Sequence, residues 1–202
     1  MKHPSTRAVF AHWNERRGNR PAPERVNIDP VAIRHALGDT FLLAVDFVDQ
    51  HRFRLAGTRL CALFCRELKG ESFSALWSES SRQQIDDLLT AMTEETAGAV
   101  AGLTGRTADG AKTDLELLLL PLARQGHARI RALGVLAPAE IPYWIGEHPV
   151  GDLELDVIRH IGPEAEPVAA PRLVPAAAGS RVRHGFVVYA GGREPPSGRP
   201  TD

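Results

Sequence analysis

Only two of the 202 residues are cysteine, Cys61 and Cys65, and they stand four positions apart. A single close pair cannot staple a fold, which excludes a disulfide framework and leaves reduced thiols as the expectation. A surplus of one charge is also missing. Twenty-four Lys and Arg oppose 25 Asp and Glu, a formal net charge of -1. Nucleic acid and anionic membranes both demand a cationic surplus, so neither is expected as the main partner. No apolar run approaches the roughly 20 residues that cross a bilayer. The N-terminal stretch MKHPSTRAVFAHWNERRG lacks the continuous apolar segment of a secretory signal. A cytoplasmic location is expected.

Signatures of catalysis are absent as well. The chain has no Walker loop, no HExxH, no dinucleotide glycine fingerprint and no activated-nucleophile motif. Gly102-Leu103-Thr104-Gly105 holds two glycines but is no phosphate cradle. Asp86-Asp87 and Glu94-Glu95 are adjacent pairs, so their members point to different faces of a helix and suit a solvated surface. Cys61 and Cys65 could hold a metal only with two further ligands nearby, and no spacing supplies them. No enzyme and no metal are expected.

What is present is an ordinary globular composition, 43% hydrophobic and 24% charged, enough for one domain of about this length. The pattern divides into residues 1–38, 39–160 and 161–202. Ser5 to Arg17 reads as an amphipathic helix carrying Val9, Phe10 and Trp13, and Asp29-Pro30 opens a short helix that Gly38 ends. Thr40 to Val48 is an apolar run of strand length. Asp49-Gln50 turns the chain, and Arg52 to Leu55 alternates as a second strand. Short helices at Arg59–Glu67 and Ser72–Trp77 precede a longer one at Glu79–Thr96, where Ile85, Leu88, Leu89 and Met92 form a stripe. Strands at Ala99–Thr107, Lys112–Leu122 and Arg129–Ala137 close the domain, separated by Ala108-Asp109-Gly110 and Arg124-Gln125-Gly126. From Pro163 onward lie seven of the 15 prolines. That composition reads as a linker and arm, with a short strand at 185–190 closed by Gly191-Gly192. Such a strand could add to a sheet edge.

Two strands, a cluster of helices and three strands is an order similar to that of a PAS domain. FRLAGTRLCALFCRELKGESFSALW, from Phe53 to Trp77, resembles the strand, small-residue turn, short helix and aromatic turn of bacterial PAS domains. Trp13, Arg17-Gly18, Pro21, Asp29-Pro30 and Leu55-Ala56-Gly57-Thr58 resemble more narrowly a mostly alphaproteobacterial family with one PAS domain and no effector. That resemblance covers about residues 5 to 160, and more weakly 184 to 194. It implies an α+β fold: a five-stranded antiparallel sheet with helices packed on one face, plus N-terminal helices and the Pro/Ala-rich arm.

It also implies sensing or partner recognition in place of turnover. The expected role is a signalling adaptor and homodimer, with Val9, Phe10 and Trp13 either forming the dimer or partner interface or docking on the sheet. The alternative is a sensor with a small molecule between sheet and helices. Its walls would be Leu55, Leu117, Leu119, Leu133 and Val135 from the sheet, and Leu60, Phe64, Phe73, Trp77, Leu88 and Met92 from the helices. The same residues suit a packed core, and both readings stand at this point.

Cys65-Arg66-Glu67-Leu68-Lys69-Gly70 resembles the cysteine word of flavin photosensor PAS domains. Phe64 stands where those proteins carry Asn, and residues 99 to 137 contain no Asn and only Gln125. A flavin edge would lack partners there, so no flavin is expected. Glu79–Thr96 has no histidine to ligate haem, and His51 and His127 are read as solvated turn residues. Arg52 and Arg54, with Arg129 and Arg131, suggest either an anion fork or a charged solvent-facing side.

Overall fold

The runs TFLLA and LLLLPL carry apolar residues at nearly every position, so both faces of each strand need cover. The computed structural model, which describes residues 1–45, 51–123, 131–161, 181–183 and 186–188, supplies that cover. Helix α1 (Pro4–Arg17) leads through 3-10 turns at Arg25–Asn27 and Arg34–Asp39 into β1 (Thr40–Ala44) and β2 (Phe53–Ala56). Helix α2 (Thr58–Leu63), a 3-10 turn at Ser74–Leu76 and α3 (Glu79–Glu95) follow. Strands β3 (Gly98–Thr107), β4 (Lys112–Leu122), β5 (Arg131–Pro138) and β6 (Val150–Ile161) complete the sheet. Its order is β2-β1-β5-β4-β3-β6, antiparallel throughout.

Two expectations are corrected here. The sheet has six strands, because Val150–Ile161 pairs along β3 and covers what would otherwise be its free edge. Helices also cover both faces. Phe41, Leu43, Leu117 and Leu119 meet α2 and α3 on one side, while Leu42, Leu118, Leu120 and Leu122 meet α1 and the N-terminal turns on the other. Strands buried on both faces cannot alternate, which is why β1 and β4 read as unbroken apolar runs.

Local chemistry sets the ends of the elements. His3 caps α1, its Nδ1 accepting from the Ser5 N–H at 3.1 Å, with Pro4 at the first helical position. The helix expected from Asp29-Pro30 forms only as turns before Arg34, because Asp29 Oδ1 accepts from the Val31 N–H at 2.9 Å and favours a tight local turn. Helix α2 stops earlier than the pattern suggests. Cys65 adopts φ 50, its N–H reaches the Ala62 carbonyl and the Arg66 N–H reaches that of Cys61, the paired bonds of a left-handed helix stop.

The chain divides into two compact units, Met1–Ala165 and Glu166–Asp202. In the second, β7 (Arg181–Arg183) and β8 (Phe186–Val188) pair antiparallel with each other, so part of the strand expected at 185–190 forms in a two-stranded sheet of its own. The turns at Asp49-Gln50 and Arg124-Gln125-Gly126, the end of the first strand through Val48, Arg129, the linker from Pro163, and Gly191-Gly192 lie outside the described residues.

Candidate functional site

Four aromatic rings come together between the sheet and its helices. Phe41 on β1, Phe53 on β2 and Phe73 lie with centroids 5.5 to 5.6 Å apart, and Trp77 stands 5.6 Å from Phe73. Edge-to-face contacts of this kind add to the burial of four large side chains. Leu60, Phe64, Leu88, Met92, Leu117 and Leu119 belong to the same buried cluster. Eight of the eleven proposed wall residues, Phe73 and Trp77 among them, are therefore brought together.

Leu133, Val135 and Leu55 are not. On β5 it is Ala132 and Leu136 that face this cluster, with Gly134 against the Phe41 ring, while Leu133 and Val135 lie one residue out of phase with α1. A strand's period of two sends a one-residue slip to the opposite face. Leu55 is displaced by a bulge in the β1–β2 pairing, where Leu42 meets Leu55 but Leu43 meets Phe53. Phe53 thus faces the interior and Leu55 the outside.

Within the cluster one polar atom is orphaned. Trp77 is 0% exposed, and its Nε1–H has no hydrogen-bond partner among the described residues. An unsatisfied buried donor costs about 1–3 kcal/mol. His51, expected in solvent, is instead 2% exposed, with Nε2 3.6 Å from Asp86 Oδ1; that oxygen accepts from Ser74 Oγ at 3.0 Å. The His51 carbonyl accepts from the Phe73 N–H at 3.2 Å. Cys65, by contrast, is exposed, and its Sγ donates to the Ala62 carbonyl at 3.5 Å. Among the described residues no three His, Cys, Asp or Glu side chains group to hold a metal ion.

The opposite face of the sheet is occupied by the chain's own N-terminus. Val9 and Trp13, expected to form a dimer interface or to dock on the sheet, are buried against it, and Trp13 Nε1 donates to the Pro121 carbonyl at 2.8 Å. A dimer built on these two side chains would require α1 to leave the sheet. Phe10 is half-buried and stacks on Trp13. Burial of two such side chains is worth about 1.5–3 kcal/mol each.

Polar clamps hold the same helix. Asp39, 1% exposed, accepts from Arg59 Nε and Nη2 at 2.7 Å each and from Ser5 Oγ at 2.6 Å. Glu116 on β4 accepts from the Lys2 N–H at 2.7 Å, the His3 N–H at 2.9 Å and Thr6 Oγ1. None of these residues carries a local sequence signal.

Burial works against the charge on Glu116, but the bonds from Thr6, Lys2 and His3 outweigh it and hold the carboxyl below its ordinary 4.5. A carboxyl depressed on folding contributes stability above its unfolded value and loses it as pH falls through the folded one. Thermal unfolding of the wild type should therefore hold steady between about pH 5 and 7 and fall below about pH 4.5 more steeply than that of Glu116→Gln. Parallel curves would contradict this.

A groove of about 330 Å³ opens on the α1 side, between the turn Arg34–Asp39 and β2. Leu55, Leu133, Leu37 and Ile33 line it; of the residues expected in the interior, Leu55 stands at this surface, 42% exposed, and Leu133 lies buried beneath it.

The sequence profile of the PAS-domain family matches residues 1–137, about two thirds of the chain. The chain belongs to the PAS-domain family. It is thus built on a signalling module; β6 and the second unit lie beyond the matched residues. Among solved structures, a light-oxygen-voltage domain studied with a flavin analogue is 16% identical, with a TM-score of 0.43, over 55% of this chain and 83% of that one. The PAS domain of an HTR-like protein from Haloarcula marismortui is 17% identical, TM-score 0.38, over 54% and 90%. The PAS domain of Bordetella pertussis BvgS is 11% identical, TM-score 0.35, over 56% and 88%. No curated protein matches the chain. Among the described residues, no helix is long and apolar enough to cross a membrane.

Proposed function

We propose that this PAS domain works as a cytoplasmic signalling adaptor, acting by contact with another protein, without catalysis and without a resident cofactor. The observation that carries this reading is the ring cluster of Phe41, Phe53, Phe73 and Trp77, which occupies the space between sheet and helices. Side chains packed at organic-crystal density leave a ligand little room without displacing them. The surface placement of Cys65 supports an interior without flavin, since its thiol bonds to Ala62 at the end of α2.

A second reading, a sensor with a small molecule in the interior, is favoured by the orphaned Trp77 Nε1–H. A ligand acceptor there would recover the cost of that donor. Native mass spectrometry of protein purified without added ligand separates the two. The adaptor reading predicts protomer masses equal to the denatured mass. A discrete excess per protomer overturns it in favour of the sensor.

A further inference from the structure

We propose that the open half of the sheet's outer face, on β3 and β6, is the contact through which two copies of this chain pair. The adaptor reading concerns a different protein, and this inference goes beyond it. Helix α1 lies over Leu118, Leu120 and Leu122, and the rest of that face carries a groove of about 880 Å³. The strand register builds it in three rows. Arg159 and Val100 stand beside Leu118, Val157 and Gly102 beside Glu116, and Glu154 and Thr104 beside Asp114. Val100 belongs to the α1 side of the sheet, and a strand's period of two puts Gly102 and Thr104 on the same face. Asp156 joins the third row, its Oδ2 accepting from Thr104 Oγ1 at 2.9 Å. Strand β6, which carries Val157 and Arg159, lies beyond the residues matched by the PAS profile.

The arrangement of charge identifies the occupant. On the β4 side Asp114 pairs with Lys112 at 3.3 Å, and Glu116 is taken up by the N–H groups of Lys2 and His3. On β6 the exposed Arg159 makes no hydrogen bond or ion pair among the described residues, and Glu154 meets Arg106 only at 4.0 Å. A cation at one end and carboxylates at the other flank Val157, which is 63% exposed. A Cβ added at Gly102 would meet only Val157 Cγ1, at 3.1 Å, so the centre of the face is open to close approach. An isologous contact needs one patch bearing both signs, placed so that a two-fold turn sets each against the other. A two-fold axis along the middle row does this. It stacks the strands antiparallel, brings Val157 onto its own counterpart, and sets Arg159 over Glu154 and Asp156 of the second copy. An axis along the strands fails, since it would lay Glu154 over Asp114. A different protein of one charge sign would meet like charge at one end of the groove.

Sedimentation velocity of the full chain, from about 1 to about 100 μM, tests this. The wild type should dimerise, and more weakly as salt rises. Val157→Glu sets two carboxylates together on the axis and should weaken the dimer at least about tenfold, as should Arg159→Glu. Both side chains are exposed, and unchanged circular dichroism verifies that the variants fold. Arg159→Glu combined with Glu154→Arg restores opposite signs across the axis and should return most of the affinity, which a merely local role for either residue would not do. A monomer throughout the range overturns the proposal and leaves the face to a different protein. A dimer that both single variants leave intact overturns it too, as does a double variant that fails to regain affinity. Failure of the adaptor reading is read separately: an excess mass per protomer in native mass spectrometry sinks that reading whatever the oligomeric state.

Discussion

Replacing Arg59 with alanine is expected to lower the free energy of unfolding by about 3 kcal/mol, read from chemical denaturation. Its guanidinium makes two 2.7 Å bonds to a carboxylate that is 1% exposed. Removing it leaves the Asp39 charge buried with the Ser5 hydroxyl as its remaining side-chain donor. The arginine itself is 40% exposed, which places the loss at the low end of the range for breaking a buried pair. Asp39→Asn keeps the shape and should cost less, about 1–2 kcal/mol. The double variant should cost less than the sum, since each single change already breaks the shared contact. A loss below about 1 kcal/mol for Arg59→Ala would show that water solvates Asp39 after all. The consequence reaches beyond stability. Asp39 joins α1, the turn before β1 and α2 at one point, so the variant should loosen α1 and alter the fluorescence of Trp13.

Gly57→Ala should cost about 3 kcal/mol or more, or prevent folding. A Cβ at this position would lie 2.2 Å from the Leu37 carbonyl oxygen and 2.3 Å from that of Gly38. Both obstacles are backbone, so no rotamer can relieve the clash. The same residue donates its N–H to the Thr40 carbonyl at 2.9 Å and starts α2. Moving it would shift the helix that carries Arg59. Circular dichroism and thermal unfolding measure the effect, and a fully stable Gly57→Ala protein would contradict the close approach. The Leu55-Ala56-Gly57-Thr58 word therefore has a steric reason at its third residue.

The element order was legible because periodicity and turn chemistry agree along the chain. The two-faced burial of the sheet was not read from TFLLA and LLLLPL, because such runs suit one packed face or two until the partners are seen. β6 hides in VGDLELDVIRHI, where Leu153-Glu154-Leu155-Asp156-Val157 alternates yet charged residues interrupt the apolar signal. The interior assignments made from α2, α3 and β4 reached the right cluster. Those on β2 and β5 failed for a geometric reason: a bulge turns Leu55 outward, and a one-residue phase error reverses β5. Asp39, Arg59 and Ser5 could not be read as a unit, since 20 and 34 residues separate the partners. His51 looked solvated because a turn residue usually is, while its burial goes with the backbone bond it accepts from Phe73 and its place beside Asp86 of α3.

Trp77 offers the most direct measurement of whether the interior is a packed core. The chain has three tryptophans, and each gives one indole N–H signal in a nitrogen-15 correlation spectrum. Assigning them by Trp77→Phe and comparing purified protein with protein unfolded in denaturant and refolded strips out any bound molecule. The aromatic core predicts that the Trp77 signal keeps its position and its single, unpartnered environment through the cycle. A Trp77 signal that moves on refolding, and returns when the stripped fraction is added back, would contradict the adaptor account and make this domain a ligand sensor.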